Sequence, residues 1–165
     1  SLGSRGLGDV YKRQIEDKIK NPKRIIFCSG KIFYELDDFR TKNNIKDVKI
    51  VRIEQIYPFP FDAIGEVILK HKESEILWVQ EEPKNMGAWS FVKSRIRHVL
   101  VKNNLTKKVH YVGRRPAAAP ATGISKRHST NQQLIKELAL KSSLKRVIKE
   151  RSGVSFMKFK NLPKE

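Results

Sequence analysis

The sequence contains a single cysteine, and that scarcity excludes an internal disulfide. Cys28 stands inside the apolar run Ile25-Ile26-Phe27-Cys28, where it reads as a small core residue rather than a nucleophile. Long apolar runs are also missing. No stretch approaches the roughly 18 consecutive apolar residues of a membrane span, and residues 1–14 (SLGSRGLGDVYKRQ) supply no apolar core for a secretory signal. A soluble, intracellular protein is the expectation. The opening residues lack both helical and strand periods, so 1–20 reads as a non-native or truncated leader. Glycines do not fall at P-loop or dinucleotide spacing, and there is neither a glycine-flanked serine elbow nor an acidic cluster suited to magnesium. His71, His98, His110 and His128 are scattered, without a second ligand at metal spacing, so no metal site is expected.

Acidic residues are scarce as well: 17 of them face 35 lysines and arginines, for a formal net charge of +18. Such an excess invites a nucleic-acid reading, because basic surfaces attract phosphates and release counterions. The bases are spread over most of the chain, however, and outnumber acids most clearly at 141–149. A charge dispersed in this way reads first as a solvated surface, with a basic binding module as the alternative.

What is present is one domain's worth of core. The 165 residues are 39% hydrophobic, and from Asn21 onward short apolar runs alternate with helical patterns. Strands are expected at 23–28 (KRIIFC), 48–53 (VKIVRI), 76–80 (ILWVQ) and 109–112 (VHYV). Between them, helices are expected at 31–43, 61–70 and 88–102, and a closing helix runs from near Thr130 to at least Leu140. Four or five strands separated by helices predict an α/β fold, a mostly parallel sheet covered by helices. Its boundaries are expected near 21 and 140, with 141–165 as a basic tail that extends the last helix briefly and then frays.

In such a fold, ligand and partner loops gather at the carboxyl ends of the strands. Ser29, Gly30 and Lys31 join a strand to a helix, where backbone N–H groups and a lysine can hold an anion, although a plain tight turn is the simpler reading. Glu81 and Glu82 follow a buried strand within QEEPKN. Adjacent strand residues point to opposite faces, so the two carboxylates are not expected to converge, and pairing of one with an arginine is the preferred use. The run at 111–123 (YVGRRPAAAPATG) reads as a stiff, closely packed loop, in which Arg114 and Arg115 suit a structural ion pair or a bidentate grip on an anion. A long loop is expected over 113–129, with His128 near its end.

Four blocks, IFCSGKIFY at 26–34, VRIEQIYPFPF at 51–61, WVQEEPKNMGAW at 78–89 and YVGRRPAAAPATGISKRH at 111–128, resemble in order and spacing the end of the decarboxylating component of 2-oxoglutarate dehydrogenase. The likeness covers residues 23–140. It implies a transketolase C-terminal-like α/β domain that completes the packing of its own subunit and of a homodimer. It further implies a parent enzyme that uses thiamin diphosphate and magnesium, decarboxylates 2-oxoglutarate in the tricarboxylic acid cycle and passes the succinyl group to a lipoyl-bearing transferase. Those cofactors would sit outside this chain, which has no glycine-aspartate-glycine motif with a following asparagine, so the chain alone is expected to be inactive. The location implied is the bacterial cytoplasm or the mitochondrial matrix. Ser29, Gly30, Lys31, Glu81, Glu82, Asn85, Arg114, Arg115 and His128 become candidate interface or effector positions. Three departures stand out: Met86 occupies a place where the family commonly has glutamine, Arg115 falls at a variable place in the arginine-proline loop, and 61–66 (FDAIGE) lacks the arginines of relatives expected to bind acetyl-CoA.

Overall fold

In a computed structural model, the structure describes residues 19–118 and 125–149. The leader at 1–18 and the tail at 150–165 lie outside the described residues. Four strands, β1 (Arg24–Cys28), β2 (Val48–Arg52), β3 (Glu75–Pro83) and β4 (Val109–Arg114), form an all-parallel sheet in the order β2-β1-β3-β4. Helices α1 (Ile32–Lys42), α2 (Phe61–Lys70), α3 (Trp89–Lys102), α4 (Ser125–Leu140) and α5 (Leu144–Lys149) complete the chain. No helix among the described residues is long and apolar enough to cross a membrane.

Chain direction explains the layering. From β1 the chain steps outward to β2, then crosses back over β1 to β3 and continues to β4. Right-handed crossovers that run in opposite directions put their helices on opposite faces. Accordingly α1, joined by α4 and α5, packs on Ile26, Cys28, Ile50, Leu77 and Val79. Helices α2 and α3 pack on Ile25, Phe27, Val51, Ile76 and Trp78. The strands are apolar at successive positions because both faces are covered, which is why they read as runs rather than alternations.

The helices end where their sequence says they should. Asn43 and Asn103 close α1 and α3 through backbone N–H bonds to the preceding turn. Each is followed by an asparagine with positive φ, Asn44 (51°) and Asn104 (55°), a conformation that asparagine tolerates better than branched residues. Helix α2 begins after Pro60, carries Asp62 in its first turn, and buries Ile64, Val67 and Ile68.

Three boundaries differ from the expectation by two residues or more, the first being β4, which runs on past Val112 to Arg114, inside the expected loop. Strand β3 continues past Gln80 to Pro83, with an irregular register against β4 between Val79 and Pro83. Helix α4 starts at Ser125, about five residues early, so His128 is an exposed helical residue instead of a loop one. The polar run SKRHSTNQQ has no apolar period to betray a helix; the first buried apolar side chain described in it is Ile135. The tail provides one short helix, α5, separated from α4 by a turn at Lys141 and Ser142.

Arg24 ties these layers together. The residue is 2% exposed, and its guanidinium donates from Nε to Glu75 Oε2 at 2.8 Å. Nη1 donates to the Ala139 carbonyl at 2.7 Å, and Nη2 to that of Ser142 at 3.0 Å. A fixed cation therefore meets the negative end of the α4 dipole and satisfies carbonyls the helix leaves open.

Candidate functional site

Reversal of chain direction between β1 and β3 places a topological switch at their carboxyl ends, where ligand sites of open α/β sheets form. Ser29, Gly30 and Lys31 lie there, between β1 and α1. Gly30 has φ +74° and its carbonyl accepts from Phe33 N at 3.4 Å, so the segment is a tight turn. The Lys31 ammonium faces Glu35 Oε1 at 3.6 Å, one helical turn on. Glu35 and Glu81 converge on Gln132 of α4, whose Nε2 donates to Glu81 Oε2 at 2.9 Å and Glu35 Oε2 at 3.3 Å.

The next loop is organised by a residue that the sequence reading passed over. Gln80 is 3% exposed. Its Oε1 accepts from the Trp78 indole at 2.9 Å and from Trp89 N at 3.1 Å. Its Nε2 donates to the carbonyls of Met86 at 2.8 Å and Pro83 at 3.1 Å, with that of Glu82 at 3.3 Å. One amide thus holds both ends of the 81–88 loop and the start of α3. Met86 enters through its backbone carbonyl, so the residue type there leaves this bond intact. Gly87 has φ +65°, and a Cβ on it would meet Gln80 Nε2 at 3.0 Å; positive φ and lack of room both require glycine.

Glu81 and Glu82 enter different bonds, the first through its carboxylate and the second through its main chain. Glu81 reaches the α4 side, whereas the Glu82 carbonyl accepts from the Tyr111 hydroxyl at 3.2 Å on the other side. That hydroxyl also contacts the Arg114 carbonyl at 2.9 Å, and burial pushes its pKa well above the ordinary phenol value. Arg114 Nε donates to the Glu81 backbone carbonyl at 2.6 Å, a bond between side chain and main chain that ties β4 to the end of β3. At Gly113 a Cβ would come within 2.7 Å of the Gln80 carbonyl, which is why β4 approaches β3 so closely there.

Asn85 crosses to the proline-alanine loop. Its Nδ2 donates to the Ala117 carbonyl and its Oδ1 accepts from Ala117 N, both at 3.0 Å. Arg115 is exposed beside it. The expected stiff, closely packed loop is described only at residues 115–118, which are exposed and held to Asn85 through Ala117; residues 119–124 lie outside the described residues. Of the nine candidate positions, then, Lys31 and Glu81 are linked through Glu35 and Gln132. Glu82, Asn85 and Arg114 belong to the loop scaffold around Gln80. Ser29 and Gly30 form a turn, and Arg115 and His128 are exposed.

Cys28 is fully buried, and desolvation pushes its thiol up to about 12 despite the nearby Arg52 charge, so it is unreactive core. Among the described residues no group of three histidines, cysteines or carboxylates is placed to hold a metal ion.

Comparison with known proteins gives a consistent relationship. A family model described as "2-oxoglutarate dehydrogenase C-terminal" matches residues 5–152, a span wider than the 23–140 over which the motifs are legible. The chain is 43% identical over 118 residues to the 2-oxoglutarate dehydrogenase E1 component of Brucella anthropi, and equally to those of Brucella ovis and Brucella canis. In each case the alignment covers 71% of this chain and 12% of the relative, so the chain spans about an eighth of the length of these curated proteins.

Proposed function

Because the chain belongs to the 2-oxoglutarate dehydrogenase C-terminal family, we propose that it serves as the closing α/β domain of an enzyme that decarboxylates 2-oxoglutarate with thiamin diphosphate. Its part is to complete subunit and homodimer packing, while the chemistry belongs to the rest of that enzyme. The supporting observation is how the carboxyl edge of the sheet uses its polar groups. Gln80, Tyr111, Asn85 and Arg114 all bond to loop backbone, and Lys31 is turned onto Glu35, so these groups hold loops in shape instead of facing a substrate. Rigid loops with exposed tips suit a surface that another part of a protein covers.

Thiamin diphosphate and magnesium do not fit the described residues. The Ser29-Gly30-Lys31 turn lacks the glycine spacing that cradles a diphosphate and sets Lys31 beside the Glu35 carboxylate, and no triad of metal ligands is present among the described residues. We assign both to the remainder of the larger enzyme. The lipoyl-bearing succinyltransferase is the partner of that whole, and the bacterial cytoplasm or mitochondrial matrix its place. A nucleic-acid role is not favoured: on α1 the bases Lys31, Arg40 and Lys42 face that helix's own carboxylates.

Replacing the last domain of the Brucella anthropi relative with residues 23–149 of this chain tests the packing role. Sedimentation velocity should show a dimer, as for the parent. Monomers or aggregates, with the parent dimeric in the same buffer, would contradict it.

A further inference from the structure

We propose that the outer face of the α2–α3 layer docks a polypeptide segment that presents carboxylates together with an aromatic or aliphatic side chain. Three observations meet there. The first is a ribbon of rings that the core does not absorb. Tyr57 is 80% exposed and Phe61 41%. Tyr57 sits edge-on to Phe91 at 6.5 Å between centroids, and Phe61 to His98 at 5.7 Å, so the ribbon runs from the loop after β2 across both helices. Isolated exposed rings need no explanation, but contiguous ones with a polar border mark contact surfaces.

The second observation is charge. Helix α3 contains no acidic residue, yet it carries Lys93, Arg95, Arg97, His98 and Lys102. Lys93, Arg97 and Lys102 are exposed, and none has a carboxylate partner among the described residues. On the opposite layer α1 neutralises its bases within the helix, through Lys31–Glu35, Arg40–Asp37 and Lys42–Asp38. The α3 face is therefore left in want of carboxylates from elsewhere, and complementary potential is what steers such a partner and fixes its register.

The third is that the centre of the face is already ordered. The Arg95 guanidinium lies 3.2 Å from the Phe91 ring centroid and its Nη1 donates to the Phe91 carbonyl at 3.0 Å. Arginine and aromatic anchors held in place before contact lose little side-chain entropy on binding. A nucleic-acid backbone fits less well, because its phosphates run without a break past the exposed Asp62 and Glu66 of the adjoining helix α2, whereas a polypeptide can set carboxylates over α3 alone and an apolar side chain over the rings.

This surface rests on the packing role only for the class of its partner. A chimera that fails to dimerise while the binding below persists would remove that role and leave the surface standing. The test titrates the 165-residue chain by calorimetry at physiological salt with three probes: a glutamate–tyrosine copolymer, polyglutamate, and a DNA duplex. The copolymer should bind at least tenfold more tightly than the other two. The exposed-site variants Lys93→Glu/Arg97→Glu and Tyr57→Ser should each weaken it about tenfold with unchanged thermal melting. A Lys46→Glu/Lys108→Glu variant, with the same charge change at the other end of the sheet, should stay within twofold. Equal losses in that control, equal affinity for polyglutamate, or DNA binding as tight as the copolymer would each overturn the proposal.

Discussion

Asn85 and Ala117 exchange both of their hydrogen-bonding partners across 32 residues, Nδ2 to carbonyl and N–H to Oδ1, each at 3.0 Å. A side-chain amide here imitates a strand, and it locks the 81–88 loop to the proline-alanine loop. Asn85→Asp keeps the acceptor and loses the donor. Asn85→Ala removes the acceptor too, so in that variant the Ala117 amide should exchange with solvent at least several-fold faster, and more than in Asn85→Asp, while global stability falls by only about 1 kcal/mol, since the pair is exposed. Unchanged exchange at Ala117 would show that the loops are held by something else.

Gln80 is the more costly position. Replacement by leucine keeps the volume and strips acceptors from the Trp78 indole and Trp89 N–H and a donor from the Met86 carbonyl. Unsatisfied buried groups cost about 1–3 kcal/mol each, so urea unfolding should show a loss of about 3 kcal/mol or more. Gly87→Ala, which forces a Cβ onto the same amide at positive φ, should cost about 1–3 kcal/mol. A leucine variant as stable as the parent would remove Gln80 from the centre of this loop.

Removing the Arg24 guanidinium leaves Glu75 without its partner and uncaps α4. Arg24→Met should destabilise by about 3 kcal/mol or more, and adding Glu75→Met should recover part of that, because the stranded carboxylate is then gone. A double variant no better than the single one would place the whole effect on the α4 cap.

His71 gives the fold an acid sensitivity with a definite sign. It is 6% exposed, its Nε2 has no hydrogen-bond partner among the described residues, and burial, with Lys49 and Lys70 nearby, lowers its pKa. The unfolded chain takes up a proton near pH 6.5 that the folded imidazole refuses. Stability is therefore fully present above that pH and declines as pH falls below it. His110 is shifted the same way by burial and adds to the decline. Between pH 7.5 and 5.5, His71→Gln should lose less stability than the parent in urea melts; equal losses would rule His71 out as a source.

Much of this architecture was legible because its physical signals are local. KRIIFC and VKIVRI announce strands buried on both faces, and FDAIGEVILK places its apolar residues at helical spacing behind a proline, so α2 was located to the residue. Helix α4 begins before its sequence pattern does, because its first two turns carry no apolar stripe to reveal them. Gln80 is silent in the sequence for a different reason. A glutamine in an apolar strand carries no motif, and its importance lies in five partners that only the folded loop brings within reach. Its one hint was that a polar residue stood between Val79 and a proline-containing loop, at a position where burial requires every bond to be made. The aromatic ribbon was likewise invisible, since Tyr57, Phe61 and Phe91 become neighbours only when α2 and α3 pack side by side.

The most direct test of the central claim is 2-oxoglutarate-dependent release of carbon dioxide by the chimera that carries residues 23–149 in place of the last domain of the Brucella anthropi relative, measured beside the chain alone. Turnover within about tenfold of the parent, with none from the chain alone even when thiamin diphosphate and magnesium are added, is the expected result. A dimeric chimera without activity, or decarboxylation by the isolated chain, would contradict the assignment of packing to this domain and of chemistry to the rest.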